Sequence, residues 1–87
     1  MAKVFIPALL HQFTNNVSQI DVEGPNVRTI VNNLDLKFPG IKSKLVEGHK
    51  IKSSISVAVD GNITPMGLLE DVEPGSEVHF LPAISGG

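Results

Sequence analysis

One stretch of the chain carries apolar side chains at the spacing of an amphipathic helix. Between residues 27 and 38 they recur every three or four positions on one helix face: Val27, Ile30, Val31, Leu34 and Phe38. Asn26, directly before them, suits the N-cap, because its side chain can accept from the free N–H groups of the first turn. Pro39-Gly40 ends the pattern. We predict one main helix, followed by a short helical turn within residues 41–46.

Alternation of apolar and polar residues, which is typical of half-buried strands, occurs on both sides of this helix. The predicted strands cover residues 3–10, 17–22, 55–59, 62–64 and 77–81. Turns are expected at 11–16, where Asn15 and Asn16 tolerate positive φ, at Asp60-Gly61 and at 73–76. Residues 48–53 are interpreted as a polar connection. Residues 65–71 are interpreted as an irregular segment that places Leu68 and Leu69 in the core.

The order of these elements predicts an α+β domain in which a mixed sheet of four to five strands packs on one main helix. With 87 residues the chain has room for one domain. The helix stripe is expected to pack on alternate strand residues: Val4, Ile6, Ile55, Val57, Val59, Val78 and Phe80. The same alternation places Phe5, Ser56, Ala58, His79 and Leu81 on the opposite face of the sheet.

Composition excludes several classes of function. A net charge of −2 and a pI near 5.8 argue against nucleic-acid or anionic-membrane binding. Lysines 42, 44, 50 and 52 cluster, and we interpret them as a solvated surface. The absence of cysteine excludes disulfides and thiolate chemistry. No signal peptide or membrane span is predicted, so a soluble, cytoplasmic protein is expected.

The sequence contains no conventional active-site motif. His11, His49 and His79 lack metal-ligand spacing, so no metal site is predicted. No phosphate-binding glycine motif and no nucleophile elbow are present, so no bound cofactor is expected. The carboxylates lie mainly at turns and strand ends, where solubility and capping explain them.

The C-terminus is the unusual feature. Two terminal glycines, Gly86 and Gly87, end a tail that runs on directly from the last predicted strand. At an average glycine frequency of about 7%, this ending occurs by chance in about one chain in 200. A frayed terminus is the simple alternative. The combination of this ending with the strand–strand–helix–strand order is a far more specific signal.

On these features the chain resembles the ubiquitin-like sulfur carriers of the MoaD/ThiS family, along nearly its whole length. The resemblance rests on Val4-Phe5-Ile6-Pro7, Phe38-Pro39-Gly40-Ile41, Val57-Ala58-Val59-Asp60-Gly61, Pro74-Gly75 and the tail of residues 81–87. Molybdopterin-branch members usually carry two adjacent prolines in the tail, where this chain has Leu81-Pro82-Ala83. Ile6-Pro7 and Thr14-Asn15-Asn16 are more similar to the MoaD-like carriers of cysteine biosynthesis, the CysO type. Thiazole-branch carriers are generally shorter than this chain, so the resemblance does not favour that branch.

The resemblance implies a β-grasp (ubiquitin-like) domain over residues 1–81 and a flexible tail over 82–87. It implies that the Gly87 carboxylate is adenylated by an E1-like partner of the MoeB/ThiF type, which uses ATP. A sulfur donor then gives a thiocarboxylate, whose sulfur passes to a synthase. The carrier would be a co-substrate and not an enzyme. The residues expected to enter the partner's active site with Gly87 are Pro82, Ala83, Ile84, Ser85 and Gly86.

In a β-grasp sheet the last strand lies between the first and the third. Phe5, Ala58, His79 and Leu81 would then be neighbours, and we expect them to dock the partners. They could instead be scattered surface residues, or be covered by the irregular segments. Three other functions stay open: a ubiquitin-like modifier conjugated to lysines, a molybdopterin synthase small subunit, and an interaction domain with an inert tail.

Overall fold

The main helix forms where its apolar stripe predicts it. The computed structural model describes residues 1–83, and in it helix α1 spans Val27–Lys37. The Asn26 side chain accepts a 2.9 Å hydrogen bond from the Thr29 N–H, which confirms the predicted N-cap. All four stripe residues within α1 are buried, and Phe38 at its end is half-buried. A second short helix, α2, spans Lys42–Leu45 and buries Leu45.

Within residues 1–83, seven strands form two sheets. Their bounds are β1 Ala2–Phe5, β2 Gln19–Val22, β3 Val46–Glu47, β4 Lys50–Ile51, β5 Ile55–Val59, β6 Asn62–Ile63 and β7 Glu77–Pro82. The main sheet has the order β2-β1-β7-β5-β6. Strand β7 runs parallel to β1 and antiparallel to β5, so the sheet is mixed. This five-stranded arrangement confirms the predicted fold, with the last strand between the first and the third.

The core lies between α1 and the inner face of the main sheet. Val4, Val57, Val78 and Phe80 of the sheet are buried together with the α1 stripe. Ile55 and Val59, near the sheet edge, are half-buried against the same cluster. Phe80 is 1% exposed and is the largest fully buried side chain of the described residues. The predicted helix-facing set is therefore confirmed.

The first strand is shorter than predicted. It ends at Phe5, and a 3₁₀ helix covers Ala8–Phe13 in place of the expected strand to residue 10 and the turn at residue 11. Pro7 explains the change, because it has no N–H to donate to a strand ladder. Its carbonyl instead accepts from the Leu10 N–H at 2.9 Å. The predicted positive φ is confirmed at Asn15 and Asn16, and the next strand begins at Gln19, two residues later than predicted.

Two further expectations were wrong between helix α2 and strand β7. The supposed polar connection contains β4, which pairs with β3 across a turn in which Gly48 has φ 65°. Ile51 of β4 packs against the core, and this apolar contact holds the small hairpin in place. Leu69 is 64% exposed, whereas Leu68 is buried. The two residues follow each other in a 3₁₀ helix, Gly67–Leu69, whose tight turn points successive side chains in different directions.

The predicted Asp60-Gly61 turn joins β5 to β6, with both residues at positive φ. The Asp60 carboxylate also ties this turn to β7, because it accepts from the Glu77 N–H and from the Ser76 hydroxyl, each at 2.9 Å. The hydrogen bond from the Glu77 N–H, followed by that from Ser76, lowers the pKa of Asp60 below its usual value. The charged form of Asp60 therefore favours the folded state.

We expect Asp60→Asn to lower the melting temperature at neutral pH. Asparagine tolerates positive φ, so the variant tests the charge and not the turn. Because the folded-state pKa is lowered, the ionised carboxylate stabilises the fold above its unfolded-state pKa of about 3.9, and this contribution is lost as the pH falls through the folded-state pKa. Thermal unfolding between pH 7 and pH 2 should show a gap between the two proteins that narrows below about pH 4. A gap independent of pH would contradict this account.

No helix within residues 1–83 has the length and apolar character needed to cross a membrane.

Candidate functional site

The base of the tail is fixed to the end of the sheet. Strand β7 continues to Pro82, which lies opposite Ile55 of β5. The Ala83 N–H then donates a 2.8 Å hydrogen bond to the Ser54 carbonyl. The main chain is thus held through Ala83. Ile84, Ser85, Gly86 and Gly87, which include the predicted sulfur-attachment carboxylate, lie outside the described residues.

The predicted docking residues lie together on the face of the sheet that points away from α1. Strand register places Phe5 of β1 beside His79 of β7, and His79 beside Ala58 of β5. Leu81 follows two residues after His79 on the same face and is paired with Ser56. We call Phe5, Ala58, His79 and Leu81 the outer patch. It leads directly to Pro82 at the base of the tail.

Two aromatic rings form the centre of the outer patch. The Phe5 and His79 rings are stacked, with centroids 4.0 Å apart and planes within 7° of parallel. The His79 Nε2 also lies 3.6 Å from the Glu77 Oε1. Both Phe5 and His79 are half-buried, and Ala58 is only 5% exposed. Phe5 is therefore only partly exposed on this face, since His79 stacks on one side of its ring.

Leu81 is 37% exposed and projects at the tail end of this patch. Ile63 of β6, which sequence reasoning did not single out, extends the patch beyond Ala58, its cross-strand partner, and is 60% exposed. The hairpin signal at Asp60-Gly61 could have located Ile63. Residues on opposite sides of a two-residue turn pair with each other, and cross-strand partners share a face.

The three histidines lie in separate elements. His11 is in the first 3₁₀ helix, where its Nε2 lies 2.9 Å from the Ile6 carbonyl oxygen. His49 lies in the turn between β3 and β4, and His79 belongs to the outer patch. In residues 1–83, no group of three or more His, Asp or Glu side chains is arranged to hold a metal ion.

The mixed sheet with β7 between β1 and β5, packed on one main helix, defines a β-grasp domain. The model of the ThiS family matches residues 4–87, nearly the whole chain. The chain therefore belongs to the ThiS family, whose members are small ubiquitin-like sulfur-carrier proteins. No curated protein sequence matches the chain.

Solved structures share this fold over nearly the whole chain. The CysO structure from an Amycolatopsis orientalis BexX/CysO complex is 29% identical, with a TM-score of 0.91 and full coverage of both chains. Mycobacterium tuberculosis CysO is 21% identical over 97% of this chain and 100% of that one, with a TM-score of 0.90. Small archaeal modifier protein 1 from Methanosarcina acetivorans is 24% identical over 99% and 95% of the two chains, with a TM-score of 0.81.

Proposed function

We propose that this protein carries sulfur as a thiocarboxylate on Gly87. The observation that carries the proposal is that the family match extends through residue 87 and so includes Gly86-Gly87. Strand β7 supports it, because this central strand and the Ala83 hydrogen bond hold the base of the tail at one end of the sheet. Both terminal residues lack a Cβ, which suits a narrow channel beside a nucleotide.

The chemistry requires a partner that uses ATP. A free carboxylate is a poor electrophile because its charge is delocalised over two oxygens. Attack by the Gly87 carboxylate on the α-phosphorus of ATP releases pyrophosphate and gives an acyl-adenylate. A donor that delivers sulfur at the oxidation level of sulfide (HS⁻) then attacks the acyl carbon, AMP leaves with the electron pair of the broken C–O bond, and loss of the sulfur's proton gives the thiocarboxylate. The chain acts as a co-substrate in the cytoplasm and contributes the acyl group, while its partner supplies the catalytic residues and binds ATP.

For the acceptor, the cysteine branch is favoured over the molybdopterin branch. The single proline of the tail, Leu81-Pro82-Ala83, supports this assignment. The similarity to CysO from the BexX/CysO complex also supports it. That complex contains a second protein, and we propose that this chain likewise meets an E1-like adenylating enzyme and then a sulfur-accepting synthase.

A second function, conjugation to lysines as a ubiquitin-like modifier, is favoured by one observation. Small archaeal modifier protein 1 shares the fold at a TM-score of 0.81 over 99% of this chain. Adenylation begins both routes, and the two diverge at the nucleophile that attacks the acyl group. Sulfur gives a thiocarboxylate, whereas a lysine amine gives an isopeptide bond.

Intact-mass spectrometry of the protein purified from its own cells tests the proposal. A carrier should show a mass increase equal to the exchange of one oxygen for sulfur, and alkylation of the terminal sulfur should shift that species again. A protein shortened by Gly87 is the matched control and should lack the increase. Covalent adducts with other proteins, with no sulfur-containing species, would support the modifier instead. An unmodified mass without adducts would contradict both functions.

The outer patch is proposed to dock the adenylating enzyme and the sulfur acceptor. Leu81→Asp should leave the fold intact, since the side chain is 37% exposed, and should weaken partner binding by about 2 kcal/mol or more, which is about 30-fold in Kd. Leu36→Asp is the matched control, because Leu36 is 80% exposed on α1, on the other side of the sheet. Calorimetric titration with each partner measures the effect. Equal affinities for the two variants would place the docking site elsewhere.

A further inference from the structure

A groove along the edge of the main sheet is not used by the proposed carrier chemistry. It has a volume of about 600 Å³ and lies between the small hairpin and the segment that follows β6. We call it the edge groove and define it by Lys50, Ile51, Ile63, Met66 and Leu69. The Val57 carbonyl on its β5 side accepts a 3.0 Å hydrogen bond from the Thr64 N–H, which fixes the segment after β6 to the sheet.

The edge groove is apolar and exposed at the same time. Ile63, Met66 and Leu69 are 60%, 54% and 64% exposed. These three are among the seven large apolar side chains that the described residues leave exposed, and they share one groove. A cluster of exposed apolar side chains is typical of a surface that another molecule covers.

The charged side chain among those that line the edge groove is Lys50. His49 also lines it, and no carboxylate among the described residues does. Two carboxylates lie just outside the lining: Glu47 is the cross-strand partner of Lys50, and Glu70 accepts a hydrogen bond from the Thr64 hydroxyl.

An adjoining cavity of about 200 Å³ shares His49 and Leu68 with the groove and adds two cations, Arg28 of α1 and Lys42 of α2. It is likewise lined by no carboxylate of residues 1–83. The chain has 9 acidic residues against 7 Lys and Arg, yet no carboxylate of the described residues lines either cavity. This distribution of charge favours an anionic occupant.

Two segments of this chain fit such a surface poorly. The tail after Ala83, Ile84-Ser85-Gly86-Gly87, has a single large apolar side chain to set against the three exposed ones of the groove, and its one negative charge is the Gly87 carboxylate. The chain's own acidic segment, residues 70–77, has Val72 buried and exposes no large apolar side chain. A second copy could therefore offer the charge of this segment without filling the groove.

We propose that the edge groove binds an acidic segment of another protein, whose large apolar side chains lie on Ile63, Met66 and Leu69. Its carboxylates would face Lys50 and the neighbouring cations Arg28 and Lys42. The surface borders the outer patch, because Ile63 is the cross-strand partner of Ala58. It remains distinct from that patch at Met66 and Leu69. A partner could therefore contact Met66 and Leu69 while the tail and the outer patch are engaged, whereas Ile63 borders both surfaces, and the proposal does not depend on the carrier function.

Selection from random peptides displayed on phage tests this proposal with the full chain as bait. Peptides that bind wild type should be enriched in Asp and Glu together with large apolar residues. Leu69→Ser and Lys50→Glu should each weaken a selected peptide about tenfold or more, as expected for an apolar anchor and a charge partner. The matched controls are Leu36→Ser and Lys37→Glu, which change exposed side chains of α1 outside both cavities. They should leave the affinity unchanged, and thermal unfolding should show that all four variants fold.

Three outcomes would overturn the proposal. The first is that no selected peptide depends on Leu69, or that the dependent peptides are basic or uncharged. The second is a dimer in sedimentation experiments that Leu69→Ser dissociates, which would assign the groove to a second copy. The third is a higher affinity for the peptide after deletion of residues 84–87, which would show that the tail occupies the groove.

Discussion

Deleting Gly87 should abolish activation of the protein by the proposed adenylating partner. The shortened chain still ends in a carboxylate, but that group lies one residue, about 3.5 Å, short of the nucleotide. A reacting group displaced by even 1 Å can lose a factor of about 100 in rate, so a displacement of this size should leave no measurable turnover. ATP–pyrophosphate exchange catalysed by the partner reports the adenylation step directly.

A short extension added to one end of the chain or the other gives a matched control for that experiment. A short extension after Gly87 should abolish exchange as the deletion does, because it converts the terminal carboxylate into an amide. The same extension before Met1 should have no effect, since β1 and β7 are parallel and the N-terminus therefore lies at the opposite end of the sheet. Full exchange with the C-terminal extension would disprove the carrier function.

Leu34→Ala should cost roughly 2–5 kcal/mol of stability, the usual range for removing a buried leucine side chain. Leu34 is 0% exposed at the centre of the α1 stripe. The loss is a large part of the roughly 5–15 kcal/mol that holds a small domain folded, and it corresponds to a fall in melting temperature on the order of 10 °C or more. Calorimetric or circular-dichroism melting measures it.

Leu36→Ala makes the same chemical change two residues further along the same helix. Leu36 is 80% exposed, and leucine and alanine have similar helix propensities, so the change should stay within about 0.5 kcal/mol. The difference in melting temperature between the two variants therefore measures the effect of burial, because both make the same change in helix propensity. Similar melting temperatures for Leu34→Ala and wild type would show that α1 does not pack on the sheet through this stripe.

Periodicity predicted the parts of the fold in which a run of side chains shares one environment. The stripe from Val27 to Leu34 fixed both the position of α1 and the face it buries, and alternation did the same for β5 and β7. In such segments every apolar position indicates the same buried face. Short elements carry too few positions for that, so the two-residue strands β3 and β4 were missed.

Tertiary contacts decided the remaining differences. Leu68 and Leu69 are chemically identical, and only the surroundings of the second 3₁₀ helix determine that the first is buried and the second exposed. Pro7 was visible in the sequence, yet its effect on β1 was not weighed against the alternation of Val4 and Ile6. Local pattern thus assigned the faces correctly more often than the ends of elements.

The candidate site was predictable in part for the same reason. Alternation along β1, β5 and β7 placed Phe5, Ala58, His79 and Leu81 on one face, and the strand order made them neighbours. The stacking of His79 on Phe5 could not be derived, because it depends on rotamers that no pattern encodes. The edge groove was also invisible in sequence, since its walls come from three separate segments.

The position of β7 has a kinetic consequence. Until that strand forms, β1–β2 and β5–β6 are two separate hairpins, because in the main sheet β7 alone joins them. Its pairing closes a long loop, with residue 3 opposite residue 77, and such distant contacts form late in folding. The strand also brings Val78 and Phe80, without which the core stays open. An adenylating enzyme that binds the sheet beside the tail would therefore recognise only molecules that have finished folding. Incomplete or misfolded copies would not be adenylated.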